Sequence, residues 1–195
     1  MTSIPFCKFH GFGNDYIVIE KENVPRDLEL PNLARAICHR HTGAGADGIA
    51  VLEPLHGEDA DYFCEIVNPD GSIAGFSGNG TRCAVSYLYY RKLWADENLR
   101  LRTRSGVKNY RLIDDTVDGT YWFEAEIGKP RFTSSDVPVA TPERQDSVID
   151  FPVTAVDKQF LISGVNVGNP VACVFVDEFD HEWRTFGKAL ECHEA

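Results

Sequence analysis

The segment Asn79 to Lys92, NGTRCAVSYLYYRK, is apolar on nearly every side of a helical wheel. A helix of that kind has no face to offer solvent, so the pattern predicts a core helix wrapped by sheet. The flanking sequence supplies the strands. FCKFHGFGNDYIVIE opens as a short strand, breaks at GFGND and resumes as a second strand from Tyr16 to Glu20. Pro31 stands where a first helical turn tolerates proline, and NLARAICHRH follows with Leu33, Ala36 and Ile37 on one face. GIAVLEP and YFCEIVNPDGS read as strands, the second closed by a turn at NPDG. Strands resume at LRLRTRSG and KNYRLID.

The polar turn DDTVDG, Asp114 to Gly119, predicts a domain boundary, giving a first domain over 1–117 and a second over 118–195. Beyond it come a strand TYWFEAEIG, a polar stretch from Thr133 to Asp146, and strands near Gln159–Gly164 and Val171–Val176. The last segment, HEWRTFGKALECHEA, reads as a helix.

A net charge of −11 argues against a nucleic-acid partner, which requires clustered cations. Arg100, Arg102, Arg104 and Lys108 alternate along LRLRTRSGVK and read as the solvent face of a strand. The longest apolar run, VACVFV, is far too short to span a bilayer, so no membrane contact is expected. No secretory signal is visible at the N-terminus. The six cysteines show no CxxC spacing, and several lie in apolar runs. Reduced thiols and a cytoplasmic location are the simplest reading.

Three motifs are set aside. GAGADG, Gly43 to Gly48, matches a dinucleotide fingerprint in letters, but its order is helix, glycines, strand. It reads as a helix end and turn. His39 and His41 lie two apart, with no partnering ligand group, and read as helix-end histidines facing the C-terminal dipole; no metal is expected. GFSGN differs from the hydrolase elbow at Asn79 and follows a turn, not a long strand.

Ser77-Gly78-Asn79-Gly80 is different, because it opens the core helix. Free backbone N–H groups and the helix dipole make an anion site there, and a small carboxylate is its natural guest. Ser77 is also a preferred helix N-cap. Asn14 in GFGND, Asn68 in NPDG and Asn169 in VGNP lie in turns that could offer neutral amides to a zwitterion. A single turn asparagine usually bonds its own backbone, but three beside a glycine cradle favour a site.

KFHGFGNDYIVIE, GAGADGI, NPDGSIAGFSGNGTRCA and VNVGNP, in this order, resemble the diaminopimelate epimerase family. The resemblance implies an α+β fold of two similar domains, each a mixed sheet curled around a central helix, with the active site in the cleft between them. It implies cofactor-independent inversion of an amino-acid α-carbon, L,L- to meso-diaminopimelate, by two cysteines on opposite faces. That chemistry serves lysine and peptidoglycan synthesis. Asn14, Asn68 and Asn169 would bind substrate polar groups, and Gly78 and Asn79 would present N–H groups to its carboxylate. Homodimers occur in the family.

Three departures stand out. The residue before Gly-Asn-Gly is cysteine in the family and Ser77 here; the histidine after GNP is Val171; and the second cysteine's motif is not reached by LECHEA. A serine hydroxyl is far less acidic than a thiol. The expectation is therefore an incomplete second domain and little or no turnover, with Ser77 at the acid–base position. Two alternatives remain: a one-base dehydratase or isomerase of the same superfold, and a non-catalytic amino-acid-binding protein.

Overall fold

The computed structural model describes residues 3–57, 59–137, 139–141, 143–179 and 182–194. The chain forms two compact units, Met1–Ile127 and Gly128–Ala195.

In the first unit, β1 (Cys7–Gly11) and β2 (Asn14–Glu20) form a hairpin, followed by α1 (Leu30–Ile37), β3 (Gly48–Pro54) and β4 (Tyr62–Val67). The short β5 (Ile73–Ala74) precedes α2 (Gly78–Tyr90), and β6 (Asn98–Thr103), β7 (Gly106–Asp115) and β8 (Tyr121–Glu126) complete the unit. All eight strands form one sheet in the order β1-β2-β3-β4-β6-β7-β8, with β5 pairing β4. It is mixed: β2–β3 and β4–β6 are parallel pairs, and the others are antiparallel. Parallel neighbours need a crossover, and the two long helices supply them: α1 between β2 and β3, α2 between β4 and β6.

The two crossovers load both faces of the sheet. Tyr16, Val18, Ala50, Leu52, Cys64 and Ile66 pack with Cys83, Ala84, Val85, Tyr87 and Leu88 of α2. Ile17, Ile19, Ile49, Val51 and Val67 point to the other side, with Leu30, Leu33 and Ala34 of α1. Leu99, Leu101 and Tyr110, far along the sheet order, join the α2 cluster. Strands from β2 to β7 thus meet the same helix, and a sheet that does so is curled around it. The expected core helix is present. On α1 the buried stripe is Leu30, Leu33 and Ala34, while Ala36 is exposed. Positions i, i+3 and i+4 share a helical face, and Ala36 lies off it.

The turn at Asp114–Gly119 does not separate the units. It closes the β7–β8 hairpin, with Thr116 N–H donating to Thr120 O at 2.9 Å, and the division falls after Ile127. Polar, glycine-ended turns close hairpins and domains alike.

The second unit holds a three-stranded antiparallel sheet, β11-β10-β9. Its strands are β9 (Phe151–Ala155), β10 (Lys158–Asn166) and β11 (Pro170–Val174), followed by α3 (Trp183–Glu191). β9 carries Pro152 and lies at the edge of its sheet, where a missing N–H is tolerated. α3 buries only Phe186. Among the described residues no helix is long and apolar enough to cross a membrane.

Candidate active site

The N-terminus of α2 is built from three pieces of the first unit. The β1–β2 hairpin turns through Phe12 and Gly13, both at positive φ (56° and 86°), as a two-residue hairpin of this twist requires. Asn14 is thereby delivered to the first position of β2. The parallel register then sets Tyr16 opposite Gly48, which brings Asp47 beside Asn14 and Asp15. Asp47 Oδ2 accepts from Asn14 Nδ2 and from the Asp15 N–H, each at 3.0 Å. Asn14 Oδ1 in turn accepts from Asn79 Nδ2 at 3.1 Å, and Asn79 Oδ1 accepts from Arg82. The result is a relay, Asp47–Asn14–Asn79–Arg82, that fixes the orientation of both amides.

Around the relay lies an ion cluster. Asp15 is paired with Arg40 at 2.9 Å and Lys8 at 2.8 Å, and Arg40 also meets Asp47 at 2.6 Å. The Arg40 guanidinium, with Lys8 and Asp47 contributing, holds the Asp15 carboxyl well below the usual carboxylate range.

Ser77 caps α2, as its residue type predicts. Its Oγ accepts from Gly80 N–H at 3.1 Å and lies 3.0 Å from the Tyr16 hydroxyl. Thr81 Oγ1 donates to Ser77 O at 2.7 Å, and the buried Tyr110 hydroxyl donates to Thr81 Oγ1 at 2.6 Å. Ser77 is half-buried and Gly78 is exposed, with no heavy atom within 4 Å of where a Gly78 side chain would start. The helix start is therefore open on one side and braced on the other.

Of the expected site residues, Ser77, Gly78, Asn79 and Asn14 come together at this end of α2. Asn68 is taken up by its own turn: Nδ2 donates to Ser72 Oγ at 3.0 Å, and its N–H donates to Ser72 O at 2.8 Å. Asn169 belongs to the second unit, exposed, just before β11; the preceding turn is held by Asn166 Oδ1, which accepts from Gly168 N–H at 2.8 Å. Tyr16, Asp47 and Arg82 were not singled out from sequence. Arg82, three positions after Asn79 on a helix, was within reach of that reasoning.

Other expectations resolve nearby. The glycines of GAGADG do end α1: Gly43 N–H donates to His39 O at 2.8 Å and Gly45 N–H to Ile37 O at 3.0 Å. His39 Nδ1 accepts from the Thr42 N–H at 3.1 Å, capping the turn that follows. Arg100 and Arg102, on the outer face of β6, and Arg104, in the turn just after it, pair with Asp61, Asp59 and Glu65. Lys108 departs from that pattern. It is buried, its Nζ donating to Ile127 O at 2.8 Å and lying 5.1 Å from the Phe76 ring centre. It is carried by β7, where strand alternation turns it inward.

All six cysteines are free. Burial pushes Cys38 and Cys83 up to about 11 and Cys64 higher still, so these three are core-packing thiols.

A family profile described as Diaminopimelate epimerase matches residues 6–133. The chain is 33% identical to a diaminopimelate epimerase of Halothermothrix orenii over 96% of this chain and 66% of that one. It is 36% identical to the diaminopimelate epimerase of Psychrobacter cryohalolentis, over 98% of this chain and 63% of the relative. The chain thus spans about two thirds of the length of these curated relatives. Two solved structures share the fold. A probable proline racemase from Agrobacterium radiobacter K84 superposes with a TM-score of 0.66 at 17% identity, over 88% of this chain and 52% of that one. A hydroxyproline epimerase from Agrobacterium vitis gives 0.62 at 16% identity, over 87% and 50%. The chain belongs to the diaminopimelate epimerase family.

Proposed function

We propose that this chain serves cofactor-independent proton transfer at an amino-acid α-carbon, L,L- to meso-diaminopimelate, with Ser77 at the acid–base position. The observation that carries the reading is Ser77 Oγ itself. It stands at the start of a 13-residue helix, accepts a backbone N–H and touches a phenol. Donors and a helix dipole converge there on a point where negative charge would be stabilised. Gly78 and Asn79, whose N–H groups have no partner within the first helical turn, would receive the substrate carboxylate. Asn14, bonded to Asn79, would take another of its polar groups. The reading includes a small-molecule amino-acid substrate, a cytoplasmic setting and homodimerisation as in the family.

The chemistry demands a base able to remove a very weakly acidic proton. A thiolate at this position would be favoured by the same donors that now hold a hydroxyl. A serine hydroxyl gains less, since its own ionisation lies far above neutrality and neither bonding partner of Ser77 Oγ can take its proton near neutral pH. The chain as it stands is therefore a binder that exchanges the α-proton slowly or not at all.

The test is α-proton exchange from L,L-diaminopimelate in D₂O, comparing the chain with Ser77→Cys. The expected result is a rise of about 10²- to 10⁴-fold, the usual worth of a positioned acid–base group. Equal rates in the two proteins would sink the assignment of position 77. Calorimetric binding without exchange in either would favour the amino-acid-binding reading, which the hydroxyl at this position also supports.

A further inference from the structure

We infer that Tyr16 is a positioning residue for the group at position 77, donating its phenolic hydrogen to that side chain. The inference rests on the reading of position 77 as the acid–base site.

The Tyr16 ring is 5% exposed, and space for it has been cleared on two sides. A side chain begun at Gly48 would meet Tyr16 Cε1 at 2.6 Å, and one begun at Gly80 would meet the same atom at 2.9 Å. Alanine at either position would drive the ring out of place. The ring is thus clamped between the first residue of β3 and the first turn of α2. Its hydroxyl reaches Ser77 Oγ at 3.0 Å, its one hydrogen-bond partner among the described residues.

The direction of that bond follows from satisfying every hydrogen. Ser77 Oγ already accepts from Gly80 N–H. If Ser77 donated to Tyr16, the phenolic hydrogen would be left unpaired in the core, which costs more than a typical bond contributes. If Tyr16 donates, both lone pairs of Ser77 Oγ are used. The serine hydrogen is then free to point toward the open side of the helix start, beside Gly78. The phenol keeps its hydrogen because burial raises its ionisation above the ordinary tyrosine value. Position 77 therefore receives two donors, one from backbone and one from side chain. An anionic side chain at 77 would accept both bonds in strengthened, charge-assisted form.

The experiment reads the ionisation of a thiol placed at 77, without substrate. In a Ser77→Cys background, the pH dependence of iodoacetamide alkylation at position 77 is followed by peptide mass spectrometry, with Tyr16 intact and with Tyr16→Phe. Mapping separates that thiol from the native ones. The expected result is an upward shift of about one pH unit on removing the phenol hydroxyl, the usual scale for a hydrogen bond to a charged group. An unchanged profile in Tyr16→Phe, with the melting temperature preserved, would overturn the role, and so would a downward shift. Because no turnover is measured, this outcome is independent of whether the protein acts on diaminopimelate.

Discussion

The two units use strands in opposite ways. In the first, β2 and β3 each carry four or more consecutive buried residues, because α1 covers one face and α2 the other. In the second, β10 alternates between buried and more open positions, and α3 contributes a single buried side chain, Phe186. Large apolar side chains there remain open: Phe175 is 83% exposed and Phe179 80%. The difference traces to connectivity. A parallel pair obliges the chain to cross a face of the sheet, and each crossing covers that face. An antiparallel meander closes with tight turns and covers nothing, so its burial depends on what else is laid upon it.

The largest effect belongs to α2: Leu88→Ala, at a fully buried position, should cost about 2–5 kcal/mol by denaturant unfolding. A cost below about 1 kcal/mol would mean that the sheet does not close on this helix. Acid should act next, and on the first unit. The Asp15 carboxyl is depressed in the folded state, so its contribution is complete above the ordinary carboxylate range and is lost as pH falls through the lower folded value. The melting temperature should therefore fall below about pH 4, and Asp15→Asn should flatten that acid limb. An unchanged slope would remove the Lys8–Asp15–Arg40 cluster from the account. The smallest effect is expected at the open face of the second unit: Phe175→Ser should change stability by no more than about 0.5 kcal/mol. A large loss there would show that the face is covered in solution.

Much of the first unit was legible because its signals are local. Gly78–Tyr90 announces a core helix through its composition alone, and Ser77 announces a cap. GIAVLEP had to be a strand, since few other arrangements bury so continuous an apolar run after a helix end. Asn14 and Asn79 could be nominated separately, but nothing in their spacing says that they bond to each other. That contact depends on the parallel register of β2 and β3, which brings Asp47 to Asn14, and register between distant segments is not written in either one. Lys108 misled for a related reason. It continues the charge alternation of Arg100 to Arg104 across a hairpin turn, yet sits on the next strand, where the inward parity is reset. Pro152 hid β9 because proline argues against a central strand and is silent about an edge.

The alternation along β2 has one further consequence. Tyr16 and Val18 belong to the set facing α2, Ile17 and Ile19 to the set facing α1. A strand that slipped by one residue would exchange these sets, sending the phenol to the α1 side and an isoleucine toward Ser77. Such a chain would forfeit its core contacts and the Tyr16–Ser77 contact in the same error. Mispaired molecules are thereby discarded by instability, and the register that closes the core is also the one that sets the phenol beside Ser77.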